Sequence, residues 1–160
     1  KQRICNNYWG GLFHDLPEVL TRDIVSPVKS SVEGLDSFIK QIERRQVAER
    51  LFPLLPVSWQ PQIKYFIEDE FKSKIMFNGK ITIVDSATIS AKYNEDQYSP
   101  LDGEILRACD HLAAYIEARL SLAHGISSRH LIEGSQSLYN RYENKVVAGI
   151  NFGQLFDYFK

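Results

Sequence analysis

Cysteine is scarce in this chain: Cys5 and Cys109 are the only two. They are too few and too far apart for a disulfide framework, and both are expected to stay reduced, as in a cytoplasmic protein. Long apolar runs are lacking too. None approaches the roughly 20 residues a membrane span requires, so no membrane partner is expected, and no signal peptide is visible. Charge of one sign is also missing. Nineteen Lys+Arg stand against 20 Asp+Glu, a formal net charge of −1, which gives no broad electrostatic reason to bind nucleic acid or an anionic surface. Any anionic ligand must therefore be held locally, by a few nearby cations. The single methionine is Met76 and the chain opens on Lys1, which predicts a piece of a longer protein or a cleaved product. There is no internal repeat and no low-complexity segment.

What is present is a globular composition. At 160 residues with 44% hydrophobic content, the chain can bury a real core. Ile4, Tyr8 and Leu12 are spaced four apart, which predicts one buried face of a helix ending near His14. A second helix can start with Asp15 as N-cap and Pro17 just inside. Taken alone, Asp15-Leu16-Pro17-Glu18 is a capping box, with Asp at the cap and Glu three positions on. A cap has no use, however, for Thr21, Asp23 and Lys29 following in a fixed rhythm.

That rhythm resembles the HD-domain metal-dependent phosphohydrolases, and within them the branch of bacterial 5′-deoxynucleotidases with the pattern H-D-x-x-E-x-x-T-x-D-[IL]-x-x-P-x-K. This chain matches it at His14, Asp15, Glu18, Thr21, Asp23, Pro27 and Lys29. A second block, Asp102 to Glu117, is similar to the family's later helix, and Asp110 stands where a single aspartate completes the metal site. The resemblance covers residues 1 to about 120. It implies an all-α HD helical bundle, a metal site of His14, Asp15 and Asp110, and hydrolysis of a phosphomonoester, above all a (deoxy)nucleoside monophosphate. The alternative is a catalytically inactive nucleotide-sensing or assembly module. The family's first metal-binding His lies upstream of the His-Asp pair, and no histidine precedes His14 here. The missing helix predicts association with the N-terminal portion of the same protein or with a second copy, and an isolated chain that is not a stable monomer.

An imidazole with carboxylates suits Mn, Co, Fe, Ni or Zn, and affinity order alone does not choose among them. Glu18, one turn beyond the metal pair, is placed to hold a water or move its proton. Thr21 and Asp23 can fix a nucleotide's sugar or phosphate side, and Lys29 is the cation best placed to meet phosphate. Arg22 stands where the family often has a small residue. His111, one residue after Asp110, points about 100° away on a helix and is assigned to packing or support. His124 and His130 flank a helix end, where capping or solvent contact is the default reading. Tyr115 and Glu117 read as helix-face residues.

Along the rest of the chain, residues 35–52 are helical through Leu35, Phe38, Ile39, Ile42 and Leu51, and Pro53 and Pro56 stop them. Residues 60–77 resume a helical period through Ile63, Phe66, Ile67, Phe71 and Ile75, with Glu68-Asp69-Glu70 on a solvated face. Asn78-Gly79 is a turn signal, and a small β-hairpin excursion is expected near residues 78–92. The longest helix begins around Ser99–Asp102 and buries Leu101, Ile105, Leu106, Cys109, Leu112, Ala113, Ile116 and Leu120. Gly125 ends it, and Ser127 or Ser128 caps the next. Residues 1–125 are thus expected to form the HD-type domain. Residues 126–160 are read as a C-terminal helical extension whose apolar tail packs on it or on a partner.

Overall fold

The computed structural model describes residues 1–21, 33–126 and 128–160. The chain is mostly helical with short antiparallel hairpins, in keeping with an HD helical domain. Its contacts divide it into two compact units: Lys1–Asn7 with Phe71–Lys160, and Tyr8–Glu70.

Helix α1 (Gln2–Phe13) supplies the start of the first unit. Its 4-8-12 spacing predicts a buried stripe, and the structure corrects this: Ile4, Tyr8 and Leu12 are 76%, 66% and 59% exposed. The opposite, polar face points inward. Asp102 is wholly buried, and a buried carboxylate must be paired and hydrogen-bonded. Arg3 pairs with it in bidentate fashion, Nε to Oδ2 at 2.6 Å and Nη2 to Oδ1 at 2.8 Å. Asn7 Nδ2 donates to Oδ2 at 3.0 Å, and its Oδ1 accepts the Asp102 N–H at 2.9 Å. Asn6 donates to the Pro100 carbonyl and the Ser99 hydroxyl, both at 3.0 Å. Positions 3, 6 and 7 share one helical face, so satisfying Asp102 fixes which face of α1 turns in.

In the first unit, β1 (Lys74–Phe77) pairs antiparallel with β2 (Lys80–Ile83), Phe77 opposite Lys80. Asn78 and Gly79 both have positive φ, 50° and 75°, as a two-residue hairpin turn requires. The expected turn is present, but the hairpin spans 74–83 rather than 78–92, and residues 74–77 are strand instead of helix. Helix α5 (Ser86–Lys92) follows, with the Thr88 N–H donating to the Asp85 carboxylate at 2.6 Å. The longest helix, α6 (Gly103–Ala123), starts against the 71–72 backbone: a Cβ on Gly103 would run into the carbonyl carbons of Phe71 and Lys72.

Helix α7 (Arg129–Tyr142) is capped by Ser128, whose hydroxyl accepts the Leu131 N–H at 3.2 Å. The tail then forms a two-residue hairpin, β3 (Val146–Val147) with β4 (Ile150–Asn151), and helix α8 (Phe152–Tyr158). Ala108, Tyr115, Tyr142, Val147, Phe152 and Phe156 make one buried cluster, with Ile105 and Leu112 packed against it. Tyr115 is therefore core rather than helix face. Cys109 and Leu120, expected on the buried side, are exposed. Among the described residues, no helix is long and apolar enough to cross a membrane.

The second unit holds α2 (Glu18–Thr21), α3 (Leu35–Gln46) and α4 (Gln60–Ile67). Between α3 and α4 the chain widens into a π turn at Val47–Leu51 and tightens into a 3₁₀ turn at Phe52–Leu54. Ile39 and Val47 are buried, whereas Phe38 is 58% exposed, so the buried stripe of α3 is narrower than its apolar content. Helix α4 stops at Ile67, ten residues earlier than its period predicts, and Asp69 takes a left-handed φ of 48°. Glu68-Asp69-Glu70 is consequently a turn, not a helix face; Glu70 meets Lys40 at 3.3 Å.

Candidate functional site

His14 lies one residue beyond the end of α1, its N–H still donating to the Gly10 carbonyl at 2.9 Å. Asp15 begins the turn that follows, and its carbonyl accepts the Glu18 N–H at 2.9 Å. Pro17 precedes α2 instead of standing inside it. Leaving the helix at this point lets two consecutive side chains converge, which a regular helix forbids. His14 Nε2 and Asp15 Oδ2 are 3.1 Å apart, and the imidazole is the more sheltered of the two, 18% against 63% exposed.

The other imidazole nitrogen settles the tautomer. His14 Nδ1 is 2.8 Å from the Gly11 carbonyl, which can only accept, so Nδ1 carries the hydrogen. A backbone carbonyl on the far nitrogen is the usual support for a metal-ligating histidine. With Nδ1 protonated, the buried Nε2 is either the second N–H of an imidazolium or a lone pair facing a carboxylate. Two lone pairs at this distance repel unless a cation sits against both. Ligands about 2.1 Å from one metal, at a right angle to each other, are about 3 Å apart. The pair thus fits as two adjacent ligands of a divalent ion.

The other predicted site residues are distributed as follows. Glu18 opens α2, half-buried, one turn past Asp15. Thr21 ends it, its hydroxyl donating to Glu43 Oε1 at 3.4 Å. Asp23 and Lys29, with Arg22 and Pro27, lie outside the described residues. Asp110 stands half-buried on α6, in the other unit from His14 and Asp15. Among the described residues, no three His, Cys, Asp or Glu side chains come together as a metal cluster. His111 Nδ1 is 2.9 Å from the Tyr142 hydroxyl; burial pushes its pKa down, against the pull of Asp110. His124 accepts the capping role, Nδ1 to the Leu120 carbonyl at 2.7 Å.

Sequence reasoning missed the Arg3–Asn7–Asp102 network. No curated protein and no solved structure matches this chain. A family model described as the HD domain does match, over residues 1–139. That span takes in His14, Asp15 and Asp110, and the chain belongs to the HD domain family, whose members are in general metal-dependent phosphohydrolases.

Proposed function

We propose that this chain hydrolyses a phosphomonoester, in the first instance a (deoxy)nucleoside monophosphate, at a site where His14 and Asp15 hold a divalent transition metal. The observation that carries the reading is the His14–Asp15 approach at 3.1 Å with Nδ1 committed to the Gly11 carbonyl. Asp110 is assigned as a further ligand by the family pattern alone. A cation held there supplies Lewis acidity toward a phosphoryl oxygen and toward water. Glu18 takes and returns the proton of the attacking water. The Gly11 carbonyl keeps His14 in the tautomer that presents Nε2. Thr21, Asp23 and Lys29 are assigned to the substrate. The Thr21–Glu43 bond, at 3.4 Å, is long and weak enough for a substrate hydroxyl to displace.

The nucleotide part of this reading rests on the likeness of the His14–Lys29 run to the 5′-deoxynucleotidase pattern. The second reading is a non-catalytic nucleotide-sensing or assembly module that keeps the pocket without turnover. Metal content and turnover separate them. The chain, dialysed after loading with Mn or Co, is expected to retain about one ion. His14→Ala and Asp110→Ala are each expected to bind it at least tenfold more weakly, the scale already seen for supporting residues around a metal. Nucleoside monophosphates and p-nitrophenyl phosphate are then assayed with the loaded chain. Metal retained without turnover would leave the sensing module; equal metal content in the Asp110→Ala variant would remove Asp110 from the ligand set.

A further inference from the structure

Helix α5, the first turn of α6 and the β3–β4 hairpin border a cavity of about 680 Å³, within the range of small-molecule sites. It lies wholly in the unit built from residues 1–7 and 71–160, and His14, Asp15, Glu18 and Asp110 take no part in its lining. Its walls are tied together by hydrogen bonds. The Ser73 hydroxyl accepts the Glu104 N–H at 3.3 Å and shares a buried hydrogen bond of 3.0 Å with the Ser86 hydroxyl, which joins α6 to α5. Gly103, with no Cβ, lets this end of α6 close on the 71–72 backbone. On the hairpin side, the Lys145 carbonyl accepts the N–H groups of Phe152 and Gly153 at 2.9 and 3.4 Å. The Lys145 ammonium lies 5.4 Å over the buried Tyr142 ring.

Charges of opposite sign line this cavity, Glu104 from α6 and Lys145 from the segment before β3. They do not pair with one another, and neither makes an ion pair among the described residues. The Ser90 hydroxyl is already committed: it donates to the Ser86 carbonyl at 3.0 Å and accepts from Arg3 at 3.2 Å. Much of the remaining wall is short and apolar, with Ala87 and Ala91 from α5 and Val147 and Ala148 from the hairpin. Ala148 takes φ 48° and Gly149 φ 83°, a two-residue turn whose first position ordinarily goes to Asn, Asp or Gly. Alanine there brings no polar side chain to compete with a ligand for either charge.

We propose that this cavity binds a small zwitterion of the amino-acid class, its ammonium on Glu104, its carboxylate on Lys145 and its aliphatic body on Ala87, Ala91 and Val147. Such a ligand meets both wall charges with charge-assisted hydrogen bonds, whereas an anion or a cation alone would satisfy one and be repelled by the other. Complementarity of this kind sets specificity more than affinity, which suits a site open to solvent at Glu104 and Lys145. The inference goes beyond the phosphohydrolase reading, because it names a second ligand on other residues.

The test is a titration of the chain with glycine, β-alanine, γ-aminobutyrate and ε-aminocaproate, in which the two charges move progressively apart, at constant ionic strength. It is followed by the methyl resonances of Ala87, Ala91 and Ala148 in alanine-labelled protein. At least one member of the series is expected to give saturable shifts in the millimolar range. Its N-acetyl derivative, which lacks the ammonium, and its amide, which lacks the carboxylate, should each bind about fivefold more weakly, the upper range for an exposed ion pair. Glu104→Gln should abolish the discrimination against the N-acetyl derivative alone, and Lys145→Gln the discrimination against the amide alone. Both side chains are exposed, and unchanged methyl resonances away from the cavity would verify that the variants are folded. Shifts that saturate for no member, a blocked derivative bound as tightly as its parent, or discrimination that survives both substitutions would each overturn the proposal. The readout needs neither metal nor turnover, so it stands or falls apart from the hydrolase reading.

Discussion

Arg3→Met is expected to destabilise the unit built from residues 1–7 and 71–160 by roughly 3–5 kcal/mol, the cost of stranding one partner of a buried ion pair. Asp102 is 0% exposed and Arg3 17%, so the two sides of the pair are not equivalent. Without the guanidinium, Asp102 keeps the Asn7 amide at 3.0 Å but has no countercharge and no route to water. Without the carboxylate, Arg3 can turn its partly exposed end outward and keep Asn94 Oδ1 at 3.0 Å. Asp102→Asn should therefore cost less than Arg3→Met, and the double variant should be more stable than Arg3→Met alone. For a chain of this size the single change corresponds to a fall in Tm of roughly 6–20 °C. Thermal unfolding followed by circular dichroism measures it. A loss below about 1 kcal/mol would mean that Asp102 is relaxed or solvated, and that the inward turn of α1 has another cause.

The same network shows why part of the fold could be read from the sequence and part could not. Asn78-Gly79, Gly125 and Ser128 were legible because each acts through its own backbone: two positive φ values, a left-handed helix end at φ 82°, and a cap to the Leu131 N–H. The orientation of α1 was not, because it answers to Asp102, 99 residues from Arg3 along the chain. Apolar spacing at 4, 8 and 12 favours one face, and a buried carboxylate selects the other. Residues 74–77 were misread for a different reason. Phe71 and Ile75 continue the helical period of α4, but short apolar runs suit strand and helix alike, and pairing with Lys80–Ile83 decided the outcome.

At the candidate site, the adjacent His14 and Asp15 were legible because the dipeptide itself brings nitrogen and oxygen donors to a helix end. The Gly11 carbonyl that sets the tautomer could not be seen, since no side-chain pattern marks a backbone acceptor.

Glu18→Gln is expected to lower phosphomonoester turnover by about 10²–10⁴-fold, the usual contribution of a positioned acid–base group, while the fold and the bound metal are retained. The substitution keeps the side chain's shape and removes its ability to take a proton. Glu18 also opens α2, where a negative charge stabilises a helix end by about 0.3–1 kcal/mol. That effect is far smaller than the roughly 3–5 kcal/mol of barrier implied by the rate loss, and it is read in stability rather than in rate. The two roles are thus separable in one variant. Proton transfer predicts a large fall in kcat with KM and Tm nearly unchanged; a helix-end role predicts a small fall in Tm and parental turnover. If the loaded Glu18→Gln chain hydrolyses nucleoside monophosphates at the parental rate, Glu18 serves only the helix, and the proton of the attacking water must be taken by another group.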